Sequence, residues 1–372
     1  MKPSRNRQNG SRASAMKPSS PHQAQQRTFL WILVGCIALA VGYTSWGILR
    51  ANASADLVPA QGAPRSIAQP SDLQAIQKGP HLIYLREEVA PYGQVNLVGL
   101  EPDSPHGSLQ PDLLCDRIYY AGGNGICLRY DPSDPSASDP LAPPRVWVTL
   151  FGSDFKPRNR FPVDGVLSRA RVSPDGKYAA YTIFVTGHSY SDPNMSTATV
   201  LLDATTGASL GNLEEFEAWK DGKLFQAPQF NFWGVTFAQD SNRFYATLRN
   251  EDTTYLVQGD VAARKLTILH ENVECPSLSP DGTRIAFKKR APGLVHKWQL
   301  TVLDLATMKE IELAEKDGID DQVEWLDNEH VLYQKDDYDP PKWVSVFVVP
   351  ADGSGKPKIF MPNALSPVVV RQ

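Results

Sequence analysis

A short phrase, Ser-Pro-Asp-Gly between two apolar runs, recurs along this chain and limits its possible folds more than any other feature. Residues 276–290 read PSLSPDGTRIAFKKR, a strand, a tight turn and a second strand. Pro280 presets φ for the turn, Asp281 can hydrogen-bond its own backbone, and Gly282 accepts a positive φ. After the turn, Ile285 and Phe287 alternate with Arg284, Ala286 and Lys288, the period of two expected for a strand with one buried face. A lone hairpin is marginal in water, so the meaning lies in its repetition. Copies stand at residues 172–184 (VSPDGKYAAYTIF), 237–248 (FAQDSNRFYATL) and 325–334 (WLDNEHVLYQ), with a more distant one at 114–120 (LCDRIYY).

Each copy leads into a further strand, and often into an Asp and a Gly-containing turn, as in TVLLDATTG and VFVVPADGSG. The turn centres Asp175, Asp240, Asp281 and Asp327 lie roughly 40 to 65 residues apart, near the blade repeat of a β-propeller. New units begin near Pro111, Asp164, Ala227, Val273 and Asp317. Residues 81–100 form a hairpin with no first strand of its own, and residues 366–371 (SPVVVR) form a lone strand. These two defects complement each other: the last strand can complete the first blade and remove the open edges. The expected fold class is therefore all-β, a six-bladed β-propeller over residues 80–372 closed by the C-terminal strand and preceded by one transmembrane helix.

That helix is expected at residues 29–49, FLWILVGCIALAVGYTSWGIL. At about 1.5 Å per residue it spans roughly 30 Å, the thickness of a bilayer's hydrocarbon core. Trp31, Tyr43 and Trp46 stand near its ends, where aromatic rings favour the interface. Residues 1–28 are basic and contain no acid, so a disordered cytoplasmic tail is expected, with the remainder outside the cell membrane. Ala53-Ser54-Ala55 has the form of a cleavage site, which leaves a signal peptide as the alternative to a single-pass anchor. Residues 50–79, rich in Ala, Gln, Ser and Pro, are expected to be a flexible linker.

Of 37 basic and 41 acidic residues, seven basic and no acidic ones fall in residues 1–50, so residues 51–372 carry a net −11. That balance disfavours nucleic acid as a partner and argues against an ectodomain lying flat on anionic lipid. Of the four cysteines, Cys36 lies in the apolar stretch and Cys275 has no evident partner. Cys115 and Cys127 flank RIYYAGGNGI, a hairpin signal. They can meet as a disulfide, which an extracytoplasmic location permits, or stay as two buried thiols.

The repeated hairpins resemble the TolB-type, WD-repeat-like β-propeller family. More closely, ENVECPSLSPDGTRIAFKKR, FNFWGVTFAQDSNRFYATL, TIFVTGHSYSDP and DDQVEWLDN resemble extracytoplasmic TolB-like proteins of actinobacteria. The resemblance covers roughly residues 80–371 and implies a fold rather than an activity. TolB itself carries a separate N-terminal α/β domain where this chain has an anchor and tether, so TolB's outer-membrane lipoprotein partner does not transfer.

No GxSxG elbow, HExxH, paired CxxC, P-loop or dinucleotide glycine fingerprint occurs. Gly187-His188-Ser189 is not a triad, which is defined by geometry. No cofactor or metal site is indicated. Within a propeller, the Ser-Pro-Asp-Gly turns share one face, and the loops between second and third strands share the other. A ligand is expected on that other face, at the channel mouth, among Arg169, Arg171, His188, Asn231, Glu274, Asp320 and Asp321, with Trp233 as an aromatic platform. Alternatively, Glu324 and these charged groups pair with one another and tie blades together. A monomeric, non-catalytic module that binds an envelope protein, peptide or glycan is expected. The alternative is an envelope hydrolase or lyase working at the channel mouth.

Overall fold

The computed structural model describes residues 65–66, 70–86, 92–101, 109–131, 133, 144–190, 192, 194–227, 229–291, 298–336 and 344–371. The expected tail and apolar span lie outside the described residues, and among those described no helix is long and apolar enough to cross a membrane.

The described strands form six sheets. Blade 2 is Arg117–Ala121, Asn124–Tyr130, Arg145–Gly152 and Pro157–Asp164, and blade 3 is Val166–Val172, Tyr178–Thr186, Ser196–Asp203 and Ser209–Asn212. Blade 4 is Phe230–Phe237, Arg243–Asn250, Thr253–Asp260 and Lys265–Glu271, and blade 5 is Glu274–Leu278, Arg284–Arg290, Trp298–Asp304 and Glu310–Glu312. Blade 6 is Glu324–Trp325, His330–Asp336, Val344–Pro350 and Lys358–Met361. Blade 1 is composite. The final strand Ala364–Val370 pairs antiparallel with His81–Arg86, from His81 opposite Val370 to Arg86 opposite Ala364. The sheet continues through Gln94–Gly99 and Leu109–Gln110. First strands of successive blades touch in order, and the last touches the first, so the ring closes as the sequence predicts.

Each junction between neighbouring blades has its own apolar cluster. Ile126, Val148, Val172 and Ile183 join blades 2 and 3, and Leu82, Leu332, Val348 and Val369 join blades 1 and 6. Such burial is the main driving force of the fold, at roughly 1.5–3 kcal/mol per large aliphatic side chain. The wide gap between the turns at Asp175 and Asp240 has a local cause. An extra hairpin, Glu217–Lys220 with Lys223–Leu224, is inserted there and pairs parallel to the outer strand of blade 4.

Three expectations are corrected. Residues 114–120 do not form a turn unit: Arg117–Ala121 is the inner strand of blade 2, and Gly122-Gly123 makes the turn. Lys288, which alternation sets on the face opposite Ile285 and Phe287, is fully buried, because both faces of a blade are covered by neighbours. The flexible linker ends earlier than residue 79. Pro70–Gln77 is a helix whose Leu73 and Ile76 are buried with Ile83, Leu97 and Leu113. Pro70 and Asp72 suit its first turn, where a backbone N–H is unpaired and the dipole is positive.

The turns between first and second strands of blades 2 to 6 form a ring that is broken at blade 1, whose first and second strands come from opposite ends of the chain. Asn124 donates to the Gly176 carbonyl (2.9 Å), and the Asp175 N–H to Ser241 Oγ (3.4 Å). Gln239 donates to the Pro280 carbonyl (3.3 Å), and the Asp281 N–H to Asn328 (3.0 Å). Within one turn, Asp281 accepts from Ser279 Oγ (2.6 Å) and from the backbone and hydroxyl of Thr283 (3.0 and 2.8 Å). Burial opposes its ionisation, yet these bonds hold its carboxyl below the ordinary 3.8.

Blades 2 and 3 approach so closely that a Cβ on Gly176 would stand 2.3 Å from the Gly122 carbonyl oxygen, whereas one on Gly282 would meet nothing within 4 Å. Both glycines have positive φ, +71° and +70°. Gly282→Ala is therefore expected to cost only backbone strain, about 1 kcal/mol, and Gly176→Ala about 3 kcal/mol through the added clash. Denaturant unfolding of the two variants checks the difference, and equal losses would show that the turns do not abut.

Candidate functional site at the propeller axis

Inside the turn ring opens a cavity of about 420 Å³ to which every blade contributes. Tyr119, Arg171, Phe237, Leu278 and Glu324 come from the inner strands of blades 2 to 6, and Arg371 follows the closing strand. Gln239 and Pro280 form part of the lip. Glu324, only 3% exposed, lies 3.5 Å from Arg171 and 4.0 Å from Arg371. The Tyr119 hydroxyl donates to its carboxylate at 3.4 Å. Arg171 also donates to the Val323 carbonyl at 2.9 Å, and its guanidinium lies 4.4 Å above the Tyr119 ring. Burial pushes the Glu324 carboxyl above its ordinary value, although both arginines oppose the shift. Burial, together with Glu324, pushes the Tyr119 hydroxyl up to about 12.

Further along the axis, Arg117 faces Asp321 and Arg169 faces Asp320, each at 3.8 Å. Lys288 donates to Asp320. Burial opposes ionisation of Asp320, but Lys288 and Arg169 outweigh it and hold the carboxyl below its ordinary value. Arg290 donates to Glu274 at 2.5 Å.

The expected binding mouth on the opposite face is stoppered. Tyr190, from the loop between the second and third strands of blade 3, is 2% exposed and stacks on Trp233 with ring centroids 4.7 Å apart. Its hydroxyl shares a hydrogen bond with Ser168, and its carbonyl accepts from Arg290 at 3.1 Å. Lys288 sits beneath it, 5.0 Å from the Tyr190 ring and 4.3 Å from the Trp298 ring. Among the described residues, the mouth that stays open is the one inside the turn ring.

Of the residues expected at the site, Arg169, Arg171, Asp320 and Asp321 meet in one axial network. Glu274 is fully buried and tied to Arg290. Trp233 is not an open platform: it is fully buried under Tyr190, among Phe184, Met195 and Cys275. His188 is exposed on the Tyr190 loop. Asn231 accepts from the Thr197 N–H at 2.9 Å and lines a separate cleft of about 490 Å³ with Arg249 and Glu251. Cys115 and Cys127 form a disulfide, and Cys275 is a buried free thiol. Among the described residues no group of three or more His, Cys, Asp or Glu side chains is placed to hold a metal ion.

Arg117, Tyr119, Tyr190, Lys288 and Arg371 were not anticipated from sequence. An aromatic amid a polar loop (Tyr190) and a cation directly after the closing valines (Arg371) were the available signals.

No protein-family profile matches the chain, and no curated protein matches its sequence. Solved structures do match. TolB from Acinetobacter baumannii aligns with a TM-score of 0.52 at 12% identity, over 79% of this chain and 67% of that one. A putative TolB from Agrobacterium tumefaciens aligns with a TM-score of 0.45 at 14% identity, over 77% and 88%. An oligogalacturonate lyase from Vibrio parahaemolyticus gives a TM-score of 0.43 at 10% identity, over 70% and 74%. The chain thus shares the TolB-type propeller fold, and identities of this order speak to fold alone.

Proposed function

We propose that the protein is an extracytoplasmic binding module, anchored by residues 29–49, that takes part of an envelope protein, peptide or glycan into the mouth inside its turn ring. One observation carries this reading: inner strands from all six blades wall a single open cavity with aromatic sides and a polar floor. A preformed concavity with a few convergent polar groups is the usual form of a binding site. The charged groups at its floor are engaged with one another, which suits recognition by shape and hydrogen bonding.

A membrane-impermeant maleimide tests the topology in intact cells. Gln239→Cys is expected to react without lysis and Met16→Cys only after it; the reverse pattern would end the anchored, extracytoplasmic reading.

A second reading, an envelope hydrolase or lyase, is favoured by the raised carboxyl of Glu324 beside Tyr119 in that cavity, since perturbed acids mark functional clefts. Glu324→Gln separates the two. Partner capture that survives with no turnover lost supports binding, whereas turnover present in the parent and absent in the variant supports catalysis.

A further inference from the structure

We propose that the propeller axis holds one small monovalent anion, gripped by Arg117, Arg169 and Arg171. The inference does not depend on what the mouth binds.

These three arginines, with Asp321, Gln322 and Ser366, line a cavity of about 20 Å³. A water-sized occupant needs roughly 10–15 Å³ on this measure, so the space suits a single halide or the head of one carboxylate. The charge is one-sided. Asp321 is the sole carboxylate of the lining, against three guanidiniums. Asp320 already receives Lys288, and Glu324 is shared between Arg171 and Arg371. Along the whole axis, six cationic side chains face four carboxylates once Arg290 and Glu274 are included. Gathering uncompensated cations away from water is costly. In a domain that is otherwise acidic, this cluster is the exception.

The contacts also leave room. Arg117, Arg169 and Arg171 stand 3.8, 3.8 and 3.5 Å from their carboxylates, whereas the rim pairs Arg160–Asp131 and Arg243–Asp240 close to 2.5 Å. Separations of that length invite a bridging group. Arg169 is 8% exposed, and its Nε has no hydrogen-bond partner. An unsatisfied donor on a buried cation is expensive unless something accepts from it. Gln322 is pinned by its Nε2, which donates to the Val235 and Pro276 carbonyls at 3.1 and 2.8 Å. Its Oε1 has no hydrogen-bond partner. Burial, then the neighbouring charge of Arg169, weakens the hold of Arg117 on its proton, while at Arg169 burial is outweighed by the surrounding acidic groups, which strengthen its hold.

Two sources share this chemistry: a free halide, or a ligand's carboxylate reaching in past Arg171, which lines both this cavity and the open mouth. Thermal unfolding of the full-length protein separates them, at fixed ionic strength balanced with methanesulfonate, which is too large for the cavity. A rise in Tm on the order of 5 °C in chloride or bromide, lost in Arg117→Gln and Arg169→Gln, supports a free ion. The same rise in formate alone supports a carboxylate. Equal midpoints in every salt overturn the proposal, leaving water as the occupant. If the variants do not fold, crystals of the parent grown in bromide decide. An anomalous peak among the three guanidiniums supports the site, and its absence overturns it.

Discussion

Removal of residues 364–372 is expected to abolish cooperative folding, the largest single effect in this protein. The closing strand supplies two junctions at once. Val368 belongs to the cluster with Ile83, Leu97 and Cys115 between blades 1 and 2, and Val369 to that with Leu82, Leu332 and Val348 between blades 1 and 6. Ala364, Val368 and Val369 are at most 5% exposed. Their loss removes several kcal/mol of burial and strips the His81–Arg86 strand of one of its two partners, against a total stability of about 5–15 kcal/mol for a typical domain. An unpaired edge of that kind also invites aggregation. The truncated chain should therefore melt without a cooperative transition, and a synthetic peptide of residues 364–371 should restore one. A truncation that melts like the parent would show that the ring does not depend on this strand.

The next largest effect is expected from Arg171→Ala, a loss of about 3 kcal/mol. Glu324 is buried and would keep Arg371, 4.0 Å away, Tyr119 at 3.4 Å and a hydrogen bond from the Val369 backbone. A buried charge stripped of its partner costs about 3–5 kcal/mol, whereas replacing the whole pair with apolar groups is often neutral. Arg171→Met with Glu324→Leu should therefore recover most of the loss. Additive losses in a double-mutant cycle would mean that the two side chains do not interact.

The pH dependence has a defined sign. The folded pKa of Glu324 is raised above its ordinary 4.5, so the folded state binds the proton more tightly. Its ionised form therefore destabilises the fold at neutral pH, and this deficit is relieved as pH falls from the raised value towards 4.5. Glu324→Gln should lack that gain. Asp175, Asp240 and Asp281 run the other way: their folded pKa values are depressed, so their contribution is lost at more acid pH. Equilibrium unfolding of the parent and Glu324→Gln between pH 7 and pH 4 resolves the two.

The wheel itself was legible because its turns are written locally. Pro280, Asp281 and Gly282 each satisfy one demand of the same turn, and the period of two beside them needs no long-range information. The closing strand was legible as two incomplete units at opposite ends of the chain. The site was only half legible. Arg117 and Asp321, or Tyr119 and Glu324, meet across blades, and nothing local to either residue announces its partner. Lys288 was misread because alternation signals one dry face, while a blade has two. The helix at Pro70–Gln77 was hidden because only Leu73 and Ile76 mark its buried side within an Ala- and Gln-rich stretch. The choice of face turned on Tyr190, a single side chain in a polar loop that folds back over Trp233 and closes the axis.

That choice of face is the claim on which the functional reading rests. A photo-crosslinking amino acid placed at Gln239, on the lip of the open mouth, and another placed at His188, on the stoppered face, test it in intact cells. A discrete crosslinked species from position 239 and none from position 188 is the expected result. A species from position 188 alone would contradict the account and put the ligand on the face that Tyr190 covers.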